Sequence, residues 1–176
     1  MDGLPCIVPF GLKDGLNKNI SRTAEAWIKV RNLNKKAPFY QLIVEVSDSP
    51  KVTSIKEGNF FFSFDQAAKN DPLLPAIVET SHIFGHATDF MAPGQFPQNG
   101  FKVPQRQQTN NRTPSAMSYL RFKLKPQNER VITSLFGYAH SVTQLNKIVH
   151  QVTQRGFLGQ KANQNKSIID DITNFA

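Results

Sequence analysis

The sequence is poor in cysteine, in long apolar runs and, over its second half, in acidic residues. A single cysteine, Cys6, among 176 residues excludes an internal disulfide framework and a zinc site built from several thiolates. No apolar run approaches the roughly 20 residues that a membrane-spanning helix needs. The first ten residues contain prolines and no basic segment, unlike a secretory signal. We therefore expect a cytoplasmic protein with no membrane partner.

The net charge of +8 comes entirely from the second half of the chain. Residues 1–89 contain ten basic and ten acidic side chains, whereas residues 90–176 contain eleven basic and three acidic ones. Such an excess favours an anionic partner. A solvated face and a surface for another domain are the alternatives. The candidate anion-facing residues lie in or beside the stretch from Phe90 to Asn128, which has no acidic residue: Arg106, Arg112, Arg121, Lys123 and Lys125.

Alternating apolar residues in the first half predict β-strands. The segments 25–33 and 39–48 alternate on either side of the break "NKKAP". The next two segments, "KVTSI" and "NFFFSF", flank Glu57-Gly58, where we predict a hairpin turn because glycine tolerates positive φ. Phe60, Phe62 and Phe64 should then share one face of a strand, with Phe61 on the other.

Residues 93–114 are rich in proline, glutamine and asparagine and predict a long loop. Alternation returns in 116–125 and, after "PQNE", in 130–138. We expect these two segments to pair as an antiparallel hairpin. In the first of them the buried residues would be Ser118, Leu120, Phe122 and Leu124.

The hydrophobic period then changes from two to 3.6, which predicts helices. The first should cover 141–155, with Ser141 as N-cap and Gly156 just past its end. Its apolar face would consist of Val142, Leu145, Ile148, Val149 and Val152. A second is expected near Gln160–Phe175. Its apolar residues form one stripe, which nothing later in the chain can cover: Ile168, Ile169, Ile172 and Phe175.

Several segments resemble one family. "APFYQLIVEVSDSPKV", "GNFFFSF" and "HIFGHATDFMAPGQF" resemble the N-terminal region of glycoside phosphorylases of the cellobiose and oligoglucan type, glycoside hydrolase family 94. "NERVITSLFGYAHSVTQLNKIV" and "SIIDDITNF" are similar to later segments of the same domain. The resemblance implies a mainly β protein, an antiparallel supersandwich of the mutarotase-like type with C-terminal helices. It would place the sandwich portion in 1–156 and a linker helix toward a further domain in 157–176.

In that family the sandwich precedes an (α/α) barrel that holds the catalytic acid and the phosphate site. The resemblance therefore implies a parent enzyme that cleaves β-linked glucosides with phosphate and inversion. We expect no catalytic residue and no cofactor in this chain, which ends before such a barrel. The implied partners are a β-glucan oligosaccharide, the barrel domain and a second copy in a parent homodimer. The alternative function is a stand-alone basic module for nucleic acid or anionic glycans.

Flat aromatic rings are the natural contacts for sugars, and the chain has one tryptophan and three tyrosines beside fourteen phenylalanines. The phenylalanines favour a core role for most of the aromatics. Trp27, Tyr40, Tyr119 and Tyr138 are the candidates for a carbohydrate platform, but we do not select Tyr138 as a binding residue. The residues that we select as carbohydrate-binding are Trp27, Tyr40 and Tyr119, with His86 and Asp89 from the glycine turn.

The stretch "SHIFGHATDF" raises the question of a metal site, because His82, His86 and Asp89 would share one face of a helix. Gly85 interrupts that helix, and the glutamate of an HExxH metalloprotease motif is absent. The family's turn continues with an acid-threonine pair, whereas here Asp89 follows Ala87-Thr88, which puts a direct sugar contact in doubt. We favour a structural turn whose apolar residues fill the core, and we predict no metal.

Overall fold

The computed structural model describes residues 28–42, 56–68, 70–85, 92–95, 100–109 and 114–175. Within these residues the strands are β1 (Ile28–Arg31), β2 (Phe39–Leu42), β3 (Gly58–Asp65), β4 (Ala76–Ile77), β5 (Met117–Ser118) and β6 (Ile132–Ala139). The helices are α1 (Ser81–Phe84), α2 (Val142–Val152) and α3 (Phe157–Asn174), and a 3₁₀ turn covers Leu33–Lys35. None of the helices in the described part of the chain has the length and apolar character to cross a bilayer.

Four strands form the main sheet, in the order β1-β2-β3-β6, and every neighbouring pair is antiparallel. β3 lies inside this sheet and pairs with β6 over all eight of its residues. The break "NKKAP" predicted from sequence is real, because Asn32 and Lys36 adopt left-handed backbone conformations around the 3₁₀ turn. The Asn32 side-chain amide donates to the Ala37 carbonyl (2.9 Å) and to Asn146 of α2 (3.1 Å), which links this turn to the helix.

One face of the main sheet packs against the helices. Phe60, Phe62 and Phe64 share this face, as the alternation predicted, while Phe61 lies on the other. Fully burying a side chain of this size contributes about 1.5–3 kcal/mol. The buried members of this helix-side core are Ala37, Phe39, Phe60, Phe62, Phe64, Ala139, Leu145 and Val152.

The predicted N-cap of α2 is confirmed. The Ser141 hydroxyl accepts a hydrogen bond from the Gln144 amide (3.2 Å), and the Gln144 side chain accepts one from the His140 amide (2.7 Å). The first bond satisfies a backbone donor in the first turn of the helix. The second reaches the residue before the N-cap rather than the N-cap amide, so the pair differs from a capping box. The residues predicted for the apolar face of α2 all lie in or against the helix-side core: Val142, Leu145, Ile148, Val149 and Val152.

The opposite face of the main sheet is partly covered by the small β4-β5 sheet and its flanks. Val30, Tyr40 and Phe61 form a second buried cluster with Val78 and Ala116. β2 therefore has a packed layer on each side, and both Phe39 and Tyr40 are buried, whereas Leu42 at its end is exposed. Strict alternation of buried and exposed residues does not predict this burial on both faces of β2, because it assumes that one face is exposed to solvent.

The expected antiparallel strands and C-terminal helices are confirmed, but the description "mainly β" is wrong for the described residues. Helices account for more of them than strands do. α3 alone spans 18 residues, and two of the strands have only two residues each.

The predicted hairpin of 116–125 with 130–138 is wrong. β5 stops at Ser118 and pairs with β4, while β6 pairs with β3. Residues 119–131, called here the arm, contain no strand, and Phe122 (44% exposed) and Leu124 (55%) are not buried. Alternation shows which residues could share a face but not which strand lies beside them. As a partner for β6, β3 contains more phenylalanine than the segment 116–125.

The predicted turn at Glu57-Gly58 is also wrong, because Gly58 is the first residue of β3. It lies between Gln41 of β2 and Ala139 of β6. A Cβ on Gly58 would come within 2.4 Å of the Tyr40 carbonyl oxygen and 2.8 Å of the Phe39 ring. Glycine is needed here for the close approach of two strands rather than for a turn.

Both ends of the arm are fixed to the sheets. The Tyr119 amide donates to the Pro75 carbonyl (2.9 Å), and Arg130 forms an ion pair with Asp65, with Nε 2.9 Å from the carboxylate. Asp65 is only 2% exposed and also accepts a hydrogen bond from the Ala67 amide (3.0 Å). Burial acts to raise the pKa of Asp65, but the Arg130 hydrogen bond, the Ala67 amide and the Arg130 charge outweigh it, and the pKa is lowered.

We expect Gly58→Ala to lower the free energy of unfolding by about 1–3 kcal/mol, because the added methyl group forces β2 and β3 apart. Gly159→Ala is the matched control. Nothing lies within 4 Å of that position in α3, so alanine should leave stability unchanged or raise it by up to about 1 kcal/mol. Chemical denaturation of both variants measures the difference, and equal stability would contradict the close approach at Gly58.

The Asp65–Arg130 pair should make stability depend on pH in the acid range. Because the folded-state pKa of Asp65 is lowered from 3.8, its stabilisation is complete above that value and is lost as pH falls through the folded value. Asp65→Asn should therefore be less stable than the wild type at neutral pH, by about 1–3 kcal/mol, and the gap should narrow in acid. Urea denaturation of both proteins at neutral and acid pH tests this. A gap that is independent of pH would contradict it.

The exposed apolar stripe of α3 should show in hydrogen exchange. Phe157 and Leu158 pack against the helix-side core, but Ile168, Ile169 and Ile172 are 55–67% exposed and Phe175 is 97% exposed. An isolated helix of this length is marginal in water. Amides from Gln160 onward should exchange fast, and those of β3 and β6 slowly. Slow exchange through Phe175 would show that another surface covers the stripe.

Candidate binding surface

The exposed face of β6 carries two uncovered aromatic rings. Leu135 and Ala139 turn toward the helix-side core, so Phe136 and Tyr138 turn to the other side, where they are 56% and 55% exposed. The cluster that covers Phe61 on this side extends over β1, β2 and β3 but includes no residue of β6. Same-face residues two apart on a strand are about 7 Å apart, so the rings form a short row.

His140 extends this row, since its ring meets Tyr138 edge-on at a centroid distance of 5.3 Å. We call Phe136, Tyr138 and His140 the aromatic strip. Polar groups lie beside it. Asn59 is the cross-strand partner of Tyr138, and the exposed Ser134 forms a hydroxyl–hydroxyl hydrogen bond of 2.8 Å with the buried Ser63. The surface thus combines flat apolar rings with amide, hydroxyl and imidazole groups.

The two selected tyrosines in the described residues have structural roles. Tyr40 is 4% exposed, and its hydroxyl donates to the Ser115 carbonyl (2.7 Å). Tyr119 is half-buried beside Phe101, with ring centroids 5.2 Å apart and its hydroxyl 3.4 Å from the Phe101 carbonyl. Neither ring is as open as Tyr138. The other selected residues, Trp27, His86 and Asp89, lie outside the described residues.

His82 belongs to a small polar cluster around Glu79. The Glu79 carboxylate accepts hydrogen bonds from the Ser81 hydroxyl (2.8 Å) and the Gln108 amide (2.6 Å), and it lies 3.1 Å from Nε2 of His82. Ile83 and Phe84 are buried, as a structural turn requires. The part of the chain that the structure describes contains no group of three metal-ligating side chains.

Gln107 is a structural residue that the sequence analysis missed. Its side-chain oxygen accepts from the amides of Val78 (2.7 Å) and Glu79 (3.3 Å), and its nitrogen donates to the Ala76 carbonyl (2.9 Å). This amide satisfies the backbone beside β4 much as a neighbouring strand would. The loop predicted for 93–114 is therefore attached to the small sheet. A glutamine in a glutamine-rich stretch gives no sequence signal for this role.

Three of the five candidate anion-facing residues lie on the arm, and the other two belong to the loop predicted for 93–114. Arg121, Lys123 and Lys125 lie together on the arm and are exposed. Arg106 is exposed in the segment 100–109, and Arg112 lies outside the described residues. Arg130 also lies on the arm, with its guanidinium 5.2 Å from the centre of the Phe122 ring.

A shallow cavity of about 210 Å³ lies where α2 meets α3. Phe64, Val152 and Leu158 form its apolar wall, and Gln66 and Arg155 are among its polar lining residues. Pockets for drug-sized ligands usually enclose about 300–1,000 Å³. This cavity is therefore smaller than a pocket for a drug-sized ligand.

Comparison with known proteins adds no further evidence, since no family model, no curated protein and no solved structure matches the chain.

Proposed function

We propose that the chain is the carbohydrate-binding β portion of a protein like the glycoside phosphorylases, and that the aromatic strip is its sugar contact. The observation that carries this proposal is the pair of half-exposed rings, Phe136 and Tyr138, on one face of a regular strand. The strand pairing holds both rings in a fixed row, so no loop has to become ordered when a ligand arrives. Binding to this open surface therefore does not lose the conformational entropy that ordering a loop would cost.

A β-linked glucose unit has a chemistry that matches this surface. Its equatorial hydroxyls point outward around the ring and leave two apolar faces of C–H groups, one of which can pack on an aromatic ring. The side chains of Asn59 and His140 lie at the edge of the strip and could hydrogen-bond to the hydroxyls. With only two rings and an open surface, the dissociation constant should be about millimolar, near −4 kcal/mol.

Local sequence and structure also support the family assignment within this proposal. The resemblance includes a strand that ends in a glycine-aromatic pair and is followed by a helix. Gly137-Tyr138 lies at the end of β6, and α2 begins at Val142. In this proposal the two described sheets are part of a supersandwich, and the parent's inverting phosphorolysis belongs to a following barrel domain. The cytoplasm is the compartment that we propose.

Tyr138→Ala and Phe136→Ala should each weaken binding of a cello-oligosaccharide about fivefold, because each removes one stacking surface worth about 1 kcal/mol. NMR titration or calorimetry at millimolar sugar measures the change. Phe175→Ala is the matched control, because it also removes an exposed ring, at the end of α3 and 97% exposed. Wild-type affinity in both β6 variants, or an equal loss in the control, would contradict the proposal.

A further inference from the structure

The arm exposes several apolar side chains together with a group of basic ones. Residues 121–131 are all exposed, and three of their apolar side chains are about half exposed: Phe122 (44%), Leu124 (55%) and Val131 (46%). Arg121, Lys123 and Lys125 alternate with the first two of these, and Glu129 is the one acidic residue in this segment. The arm therefore combines an excess of positive charge with apolar side chains that are about half exposed to solvent.

The shape of the arm is defined at its tip and at its base. At the tip the Asn128 amide donates to the Lys125 carbonyl (3.1 Å), and Gln127 has a positive φ of 65°, so the chain reverses there. At the base the Tyr119 amide and the Asp65–Arg130 ion pair attach the two ends to different sheets. The side chains near the tip are thus presented by a fixed loop rather than by a free chain.

We propose that the arm docks on the surface of an anionic lipid bilayer. In this arrangement Arg121, Lys123 and Lys125 face the phosphate and carboxylate groups of the lipids, while Leu124 and the open part of Phe122 enter the interfacial region. Binding to such an interface is favoured by basic side chains, which attract anionic lipids, and by exposed apolar side chains, which become buried among the lipids. The expectation of no membrane partner rested on the lack of a spanning segment, which says nothing about peripheral binding.

The apolar residues decide between a bilayer and other polyanions. A nucleic acid or an anionic glycan would neutralise the basic residues but would leave Leu124 in water. The Phe122 ring is a poor stacking platform for a base, because the Arg130 guanidinium already lies over it. A bilayer accommodates both kinds of side chain at once. The charges near the base do not oppose docking, since Asp65 is paired with Arg130.

The test is flotation of the full chain with vesicles of phosphatidylcholine alone and of phosphatidylcholine mixed with phosphatidylserine. Binding should require the anionic lipid and should weaken as salt rises, because counterions screen the basic residues. Each basic residue near the surface contributes about fivefold to the affinity, so the triple variant Arg121→Gln, Lys123→Gln, Lys125→Gln should bind about 100-fold more weakly. The triple variant Lys147→Gln, Lys161→Gln, Lys166→Gln, at exposed positions of α2 and α3, is the charge-matched control and should bind like the wild type.

Leu124→Ser separates a bilayer from other polyanions. On a bilayer it should weaken binding severalfold while the salt dependence remains. If vesicles are not bound, or are bound equally without anionic lipid, the proposal is wrong. It is also wrong if the chain binds RNA or a sulfated glycan more tightly than vesicles and Leu124→Ser has no effect. None of these variants touches the aromatic strip, so sugar binding can be lost or kept independently of this result.

Discussion

The pairing of β3 with β6 over eight consecutive positions determines which side chains meet the helices and which meet water. In this register Phe60, Phe62 and Phe64 lie opposite Gly137, Leu135 and Thr133, so α2 rests on a surface built from both strands. The same register turns Phe136 and Tyr138 to the other side. Gly137 is part of this arrangement, because a Cβ there would lie 2.8 Å from the Phe60 ring. The core and the aromatic strip therefore depend on one strand pair.

Sequence patterns predicted local structure well where one face of a helix or strand is apolar and the other is exposed to solvent. The phenylalanine face of β3, the apolar face of α2 and the Ser141 cap follow from period and capping chemistry alone. The neighbour of β6 could not be predicted in this way, because residues 116–125 alternate as regularly as a strand, although most of them have no core to pack on. Gly58 was misassigned for a related reason, since glycine occurs both in turns and where strands approach closely.

The candidate site was predicted only in part. Tyrosine is a sound candidate for sugar contact, but Tyr40 and Tyr119 are enclosed by residues from distant parts of the chain, and no local pattern reveals this. Tyr138 and Phe136 are exposed because the small sheet covers β1, β2 and β3 and leaves β6 open. Arg121, Lys123 and Lys125 lie within five residues of the sequence, so their grouping could be predicted, whereas Arg106 and Arg112 depend on the path of the loop.

Arg130 has two neighbours, the Asp65 carboxylate and the Phe122 ring, and it is an arginine while two of the arm's other cations are lysines. This difference has a chemical consequence. Acetylation would abolish the charges of Lys123 and Lys125, but a guanidinium is not a substrate for lysine acetylation and stays protonated at physiological pH. Acetylation would therefore lower the positive charge of the arm, on which Arg121 remains, without breaking the attachment of the arm to the sheet.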